Sequence, residues 1–259
     1  PPFPMRHTYL LRELVRRDLQ SRYRGSLLGF FWAFVHPLWQ LALYTVVFSW
    51  ILRVPLSGEG TASFPAFLFA GLLPWLGFSE GLLRSTTAVV DQGNLVRKHR
   101  FPSELLVVSV ALSAVCHQLA ALALFIVWQG FCGGLQAAQS VWLVPGLIVQ
   151  FTITLGLGWA AAAAQVFFRD VAQIAGVALS GGFYLTPIVY PLSLVPEPMR
   201  PWVLFNPLAT VVAGFRAALI GGRPPTLGAW LMAAAVAALV ALAGWGFFRR
   251  LRSSFADEL

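Results

Sequence analysis

The chain has 259 residues, of which 58% are hydrophobic and only 11% are charged. Soluble domains carry about 25% charged residues, so this composition excludes an ordinary soluble domain and predicts a single all-α membrane domain. The net charge of +8 does not indicate a nucleic-acid partner, because the basic residues cluster at the two ends and in one loop, which is the pattern of a membrane topology signal.

Residues 1–28 predict a cytoplasmic amphipathic helix that lies in the membrane interface. Leu11, Val15 and Leu19 recur every four residues and form one apolar stripe. The other face carries arginines, among them Arg12 and Arg16, and such a face turns toward lipid phosphates and water. The alternative is the surface helix of a soluble domain, which the long apolar segments that follow make the weaker interpretation.

Residues 29–259 predict six transmembrane helices. The first contains no charged residue and is long enough for a hydrocarbon core of about 30 Å, and Pro37 within it favours a bend. The fourth contains Gly156 and Gly158, which suit close helix packing. The predicted spans are Gly29–Leu52, Phe64–Val89, Glu104–Cys132, Val141–Phe168, Val171–Tyr190 and Leu227–Phe248.

The distribution of basic residues predicts the orientation of the chain. Six arginines precede the first span, three basic residues lie between the second and third, one arginine follows the fourth, and three follow the sixth. The opposite side carries four arginines. By the positive-inside rule both termini are cytoplasmic, and an even number of spans agrees with this.

Prolines divide the apolar segment between the fifth and sixth spans. Two short helices are predicted at about residues 196–220, the first from Pro198 to Phe205 and the second from Pro207 to Ile220. The second would be about 21 Å long, which is too short to cross a bilayer. We expect a pair of helices that dip back into the outer leaflet; two amphipathic helices lying flat on the outer surface are the alternative.

The sequence contains no recognisable catalytic motif. No segment matches a P-loop, and Lys98, the only lysine, lacks the glycines of one. No residues have metal-ligand spacing, and no paired carboxylates lie in a span. We therefore expect a transport protein rather than an enzyme, with no cofactor on this chain.

Glu80 and Arg84 are charged residues within the second predicted span. Four residues apart, they share a helix face and are expected to pair. Charges at that depth mark a transport pathway or form a structural pair near the end of the span, and the sequence leaves both interpretations open. Their small number argues against a proton-driven carrier and for an external energy source.

The first span is rich in aromatic residues, which stack on sugar rings but also populate membrane interfaces. Trp32 is near an end of the span, where the interfacial role is stronger, whereas Trp39 and Tyr44 are nearer the middle and are better pathway residues. The aromatic candidates in this span are Phe30, Phe31, Trp32, Phe34, Trp39 and Tyr44.

The loop at residues 91–102 is the predicted partner site. Its core from Asn94 to Phe101 is expected to make about two helical turns along the membrane, with apolar and basic residues interleaved. The alternative is a topology-determining loop that attracts anionic lipid. The residues of this core are Asn94, Leu95, Val96, Arg97, Lys98, His99, Arg100 and Phe101.

Several ordered segments resemble one family along nearly the whole chain. They are RRDLQSRYRGSLLGFFWAFVHPL from Arg16, GNLVRKHRFPSELL from Gly93, FFRDVAQI from Phe167, YLTPIVYPLSLVP from Tyr184 and FNPLATVVAGFRAALIGG from Phe205. Together they resemble the type-2 ABC exporter permeases that move polysaccharides. The resemblance is greatest to the O-antigen exporters, with capsule and teichoic-acid permeases as near neighbours.

This resemblance implies a homodimer in the bacterial inner membrane, with two copies of a separate ATPase subunit that bind ATP and magnesium. Residues Asn94–Phe101 would be the main coupling helix, and Arg169 and Asp170 in the next cytoplasmic turn would form a second contact. The short helices near residues 196–220 would gate the outer side. The gate residues are Pro198, Trp202, Asn206, Pro207, Phe215 and Arg216.

The implied cargo is a lipid-pyrophosphate-linked glycan that moves to the outer face of the membrane. Its path would lie between the protomers and be lined by the first and fifth spans, including Tyr184. Arg22 and Arg24 are candidates for contact with the pyrophosphate, because arginine suits phosphate oxygens. An exporter of a drug or small lipid, an ion-coupled secondary transporter and a membrane-bound glycan enzyme are the alternatives.

Overall fold

A computed structural model describes residues 3–22, 31–51, 64–97, 101–131 and 137–259. Within those ranges every regular element is a helix and no strand occurs, as the composition predicts. Helix α2 continues as a π-helical segment, Thr45–Ile51, and short 3₁₀ turns precede α6 and α8. The α-helices are α1 Phe3–Arg22, α2 Trp32–Tyr44, α3 Phe64–Thr87, α4 Gly93–Val96, α5 Glu104–Phe131, α6 Leu143–Phe167, α7 Val171–Leu185, α8 Arg200–Phe205, α9 Pro207–Ile220, α10 Leu227–Leu251 and α11 Phe255–Glu258.

Four of these helices are long and apolar enough to cross a membrane: α3, α5, α6 and α10. Helices α8 and α9, which meet at 90°, would make a fifth span if the pair is counted as one. The first and fifth predicted spans correspond to shorter apolar helices. Helix α7 has 15 residues, about 22 Å in length, and ends at Leu185 rather than at the predicted Tyr190 because the chain is extended at Thr186.

Helix α3 is the centre of the bundle. Most of its side chains are buried, and α5, α6, α7 and α9 all pack against it. Its aromatic residues interlock with those of its neighbours: Phe69 stacks on Phe125 of α5 at 5.2 Å, and both side chains are fully buried. Any movement of α3 therefore reaches most of the bundle.

Glycines bring α6 and α10 into close contact. A Cβ added to Gly244 would collide with the backbone of Gly156, and one added to Gly156 would lie 2.6 Å from the backbone of Ala241. Small residues allow such an approach between apolar helices. The packing role that the sequence predicts for Gly156 is confirmed.

A buried pair of amides joins α5 to α6. The side chains of Gln118 and Gln150 donate hydrogen bonds to each other at 3.0 and 2.6 Å. Gly77 of α3 leaves the space for this pair, since a Cβ there would overlap the Gln118 amide. Mutual hydrogen bonding satisfies polar groups that would be costly to leave unpaired in an apolar interior.

The segment between α7 and α10 differs in part from the prediction. Helix α9 has the predicted bounds, and Asn206 caps it by accepting a hydrogen bond from the Leu208 N–H at 3.0 Å. However, nearly every residue of α9 is buried against α3, α6 and α10. The alternative prediction, two helices lying flat on the outer surface, is therefore wrong for α9. Helix α8 has no buried residue, so its exposure agrees with that alternative.

Candidate functional site

Six elements meet at one end of the bundle, which we call the coupling end: α1, the last turn of α3, α4, the first turn of α5, the turn after α6, and the segment from Arg249 to Leu259. Two apolar clusters hold them together. Phe255, Phe248 and Val89 belong to one, and Leu14 and Leu106 belong to the other.

Helix α4 is shorter than the predicted coupling helix. It spans Gly93–Val96, a single turn, and Phe101 lies outside any helix, so the predicted helix from Asn94 to Phe101 is wrong at its far end. Lys98, His99 and Arg100 lie outside the described residues. Asn94 and Arg97 are exposed, whereas Leu95 and Val96 are half-buried. The turn therefore packs with its apolar side inward and leaves its polar side exposed.

Val96 has a central place in this packing, since it contacts both apolar clusters. It thereby links α4 to the α1 side and to the α11 side of the coupling end. A displacement of α4 would therefore be transmitted to both apolar clusters.

The segment after α10 clamps both flanks of this loop. Arg252 donates hydrogen bonds to the Glu104 carboxylate and to the Phe101 carbonyl, each at 3.1 Å. Phe255 is fully buried with its ring 5.2 Å from that of Phe248. On the other flank, a Cβ on Gly93 would be in van der Waals contact with Leu259. In the sequence these arginines indicate only the membrane topology, so the clamp was not predicted.

Helix α1 packs on the opposite side of the loop. Leu14 is buried against Ala88, Leu106 and Val110. Three arginines point away from the bundle on the exposed face: Arg12, Arg16 and Arg17. The predicted stripe residues Leu11, Val15 and Leu19 are half-buried, and Leu14 beside them is the buried residue of this face.

A chain of ionisable side chains joins α1, α3 and α5. Arg84 donates to the two carboxylate oxygens of Asp18 at 2.6 and 3.0 Å. Glu80 lies 2.8 Å from Nδ1 of His117 and 3.9 Å from Arg84. The predicted pair of Glu80 with Arg84 is therefore the longest contact of the chain, and each residue has a closer partner on another helix.

Sequence reasoning missed Asp18 and His117. Asp18 lies 66 positions from Arg84, and His117 lies 37 positions from Glu80. The only available signal was that a charge in an apolar span needs a partner, which does not say which residue supplies it.

The turn between α6 and α7 carries the predicted second contact. Phe168, Arg169 and Asp170 are all exposed. Gln165 fixes the turn from below: its amide donates to the Arg169 carbonyl at 3.0 Å and accepts from the Ala172 N–H at 2.7 Å. The ring of the adjoining Phe167 packs on Phe255 at 6.2 Å, so Arg169 and Asp170 lie at the same end of the bundle as α4.

The path residues that the structure describes lie on, or directly before, two helices that both pack against α3. Trp32 and Trp39 of α2 are exposed, as are Phe31 directly before it and Tyr184 of α7. Phe30 lies outside the described residues, as does Arg24, and the side chains of Arg22, Phe34 and Tyr44 are not described. Apart from Leu179, the side chains of α7 are exposed or half-buried, which leaves an apolar face on this helix.

The predicted gate residues divide into an exposed and a buried group. Pro198 and Trp202 are exposed, whereas Pro207 and Phe215 are buried. Asn206 lies between the two groups and donates to Thr186 Oγ1 at 3.0 Å. The last member of the set, Arg216, is buried as well.

Arg216 braces α9 against α3 rather than facing solvent. Its guanidinium lies 3.5 Å from the ring centre of Phe67 and donates to the Ile188 carbonyl at 2.6 Å. It was counted among the outer-side charges, and burial removes it from that count. The remaining basic residues keep the same strong asymmetry.

Comparison with known proteins identifies the family of this chain. The family model described as ABC-2 type transporter matches residues 9–220. The chain belongs to the ABC-2 type transporter family. The match runs from residue 9, within α1, to the end of α9, so it includes most of α1, α4 and the turn after α6. The clamp formed by the segment after α10 lies beyond it.

One ABC-2 relative matches a longer part of the chain than the family model does. The chain is 34% identical over 253 residues to the O-antigen export system permease protein RfbA of Myxococcus xanthus, covering 96% of this chain and 95% of the relative. A protein of the same name from Klebsiella pneumoniae is 26% identical, covering 82% and 81%. The polysialic acid transport protein KpsM of Escherichia coli is 24% identical, covering 81% and 80%.

Proposed function

We propose that this ABC-2 protein is the transmembrane subunit of an ATP-driven exporter that moves a lipid-pyrophosphate-linked, O-antigen-type polysaccharide from the cytoplasm to the outer face of the bacterial inner membrane. The observation that carries the proposal is the likeness to an O-antigen export permease along 96% of the chain. A capsule-type glycan is the second candidate, supported by the lower likeness to KpsM.

ATP hydrolysis belongs to a separate partner in this proposal, because the sequence contains no P-loop. Two copies of an ATPase subunit, which bind ATP and magnesium, dock on the coupling ends of two permease protomers. The exposed side chains of Asn94 and Arg97 make the main contact, and those of Arg169 and Asp170 make the second. The basic loop residues after Arg97 extend the main contact.

The coupling end faces the cytoplasm, and both termini lie on that side. Helix α1 lies in the interface with its exposed arginines toward lipid phosphates and water. Helices α2 and α7 complete a set of six spans, and the 90° pair α8–α9 enters the outer leaflet without crossing it. The short α7 is compatible with this arrangement because local thinning of the bilayer or oligomerisation accommodates a helix shorter than the hydrocarbon core.

The sugar path runs between two protomers. Helix α7 has an exposed apolar face with Val177 and Tyr184, and α2 has an exposed aromatic face with Trp39. Within a single protomer both faces would contact only lipid. Pairing two copies across these faces encloses aromatic rings that stack on sugars. In this proposal Arg22 and Arg24 make the pyrophosphate contact, because arginine suits phosphate oxygens.

The test is complementation of a bacterial strain that lacks its own O-antigen export permease. Expression of this chain with its ATPase subunit is expected to restore O-antigen at the cell surface. Arg97→Glu is expected to reduce both the yield of the complex and export, because charge reversal opposes docking. Restoration of capsule alone would favour the second candidate. Failure to restore any surface glycan, in cells where the complex assembles, would contradict the proposal.

A further inference from the structure

The chain of ionisable side chains from α1 to α5 lies beside the loop at residues 91–102, which we call the coupling loop. A motion of this loop would reach the rest of the bundle through these side chains. Arg84 is in the last turn of α3, and only residues 88–92 separate that helix from α4. A partner bound to Arg84 is therefore attached to the base of the coupling loop. That partner, Asp18, lies on a helix otherwise remote in sequence.

The contact between Arg84 and Asp18 has the geometry of a rigid link. Two parallel hydrogen bonds join the guanidinium to both carboxylate oxygens, and such bidentate pairs fix orientation as well as distance. The Asp18 side chain is only 14% exposed, so the pair is screened less by solvent than a surface ion pair. An exposed ion pair would have neither a fixed orientation nor this reduced screening by solvent.

A second attachment lies one helical turn away. Leu14 and Asp18 are four residues apart and share one face of α1. Leu14 packs on Ala88, which precedes α4, and on Leu106, which follows the loop. Two fixed points on one face make α1 and the base of the coupling loop a single body, while Arg12 and Arg16 remain exposed on the other face.

We propose that Asp18 and Arg84 are positioning residues that make α1 move with the coupling loop during each ATPase cycle. A displacement of α4 by the partner is carried through Arg84 to Asp18, so the arginine-bearing face of α1 shifts against the anionic headgroups it lies on. Glu80 and His117 carry the same displacement to α5. The inference rests on the proposed function for its role in export, but the link itself is a property of this chain.

The first experiment uses charge reversal in the purified permease–ATPase complex and in cells. Asp18→Arg and Arg84→Asp are each expected to lower the export obtained per ATP hydrolysed by roughly 2- to 30-fold, the range reported for residues in coupling networks, with complex yield retained. The double variant D18R/R84D restores the pair and is expected to recover most of that loss. Arg223→Asp, a charge reversal at an exposed residue of the loop after α9, is the matched control and leaves the ratio unchanged.

If the charge-reversal variants do not assemble with the ATPase subunit, two conservative variants test the link between α1 and the coupling loop. Arg84→Lys keeps the charge but cannot form the bidentate contact, and Asp18→Asn keeps the shape but removes the charge. A reduced export per ATP in both supports the link. Wild-type ratios in both variants, or a double reversal no better than the single ones, would overturn it, because a passive brace lowers stability without changing the ratio.

A second measurement does not depend on export. Amide hydrogen exchange in the isolated permease is expected to show residues 8–22 protected in the wild type and exchanging faster in D18N, with α9 unchanged. Equal protection of α1 in both proteins would overturn the link. Failure of the proposed function would appear instead in the wild type, as an intact permease that neither binds an ATPase nor exports glycan.

Discussion

At the scale of single residues, three of the buried polar side chains have specific partners on other elements of this bundle. Arg216, Gln118 and Gln150 are all buried, and each forms hydrogen bonds that would be lost on truncation. In an apolar surrounding an unpaired donor or acceptor is costly. These residues therefore fix which helix faces meet.

Arg216→Met is expected to destabilise the permease by about 1–3 kcal/mol, because the Ile188 carbonyl loses its charged donor. The measurement is thermal unfolding in detergent. Arg223→Met is the control, since Arg223 is exposed on the following loop. Equal unfolding temperatures for the two variants would contradict the bracing role.

Contacts between residues on different helices could not be predicted from the sequence. The periodicity of α1 and the i,i+4 spacing of Glu80 and Arg84 are local patterns, so they could be read directly. The pairing of Arg84 with Asp18 depends on how two distant helices pack, and no local pattern specifies that. Glu80 and Arg84 were singled out correctly, but their closest partners were not.

At the scale of helices, glycine positions set the distances between elements. Gly244 of α10 touches the α6 backbone, whereas Gly246, two residues later, has open space around the position of a Cβ. The two glycines make a matched pair on one helix.

Gly244→Ala is expected to cost about 1–3 kcal/mol, because the added methyl group meets backbone that cannot rotate away. Gly246→Ala is expected to be neutral or stabilising by up to about 1 kcal/mol, since alanine favours the helix. Thermal unfolding of the two variants side by side is the measurement. Destabilisation by both to the same extent would show that the close approach is not what matters.

The clamp after α10 gives a second prediction at this scale. Phe255→Ala removes a fully buried ring and about 3–5 kcal/mol of packing, so the segment should release the coupling loop and reduce recovery of the ATPase subunit. Phe247→Ala is the control because that ring is partly exposed on α10. Co-purification of the ATPase subunit is the measurement, and wild-type recovery with F255A would contradict the role of the clamp.

Helix boundaries were predicted where local chemistry sets them. Pro207, with Asn206 before it, fixes the start of α9, and both are visible in the sequence. The burial of α9 was not predicted, because an apolar helix interrupted by prolines reads the same whether it covers a surface or fills a bundle. Helix α7 was predicted too long, since the extended Thr186 follows from its hydrogen-bonded surroundings rather than from hydropathy.

At the scale of the whole molecule, the bundle has a polar coupling end and an apolar side formed by α2 and α7. In the proposed function an ATPase partner binds the coupling end, and another protomer and the glycan contact the apolar side. Because α3 packs against both α2 and α7 and leads into α4, it connects the two regions within one chain.

Trp39→Ala is expected to reduce glycan export by about 2- to 10-fold, the effect of losing one aromatic stacking contact, without reducing assembly. Trp50→Ala is the control because Trp50 is equally exposed but near the end of the same segment, where an interfacial role is stronger. Surface glycan relative to complex yield is the measurement. A wild-type ratio in W39A would exclude this residue from the sugar path.

The most direct test of the central claim is transport by the purified permease–ATPase complex in proteoliposomes. Lipid-pyrophosphate-linked O-antigen placed on the ATPase side should become protected from an externally added glycan-degrading enzyme only when ATP and magnesium are supplied. ATP-dependent protection, lost with an ATPase-inactive partner, is the predicted result. Protection that needs no ATP, or a complex that hydrolyses ATP without ever moving the glycan, would contradict the account.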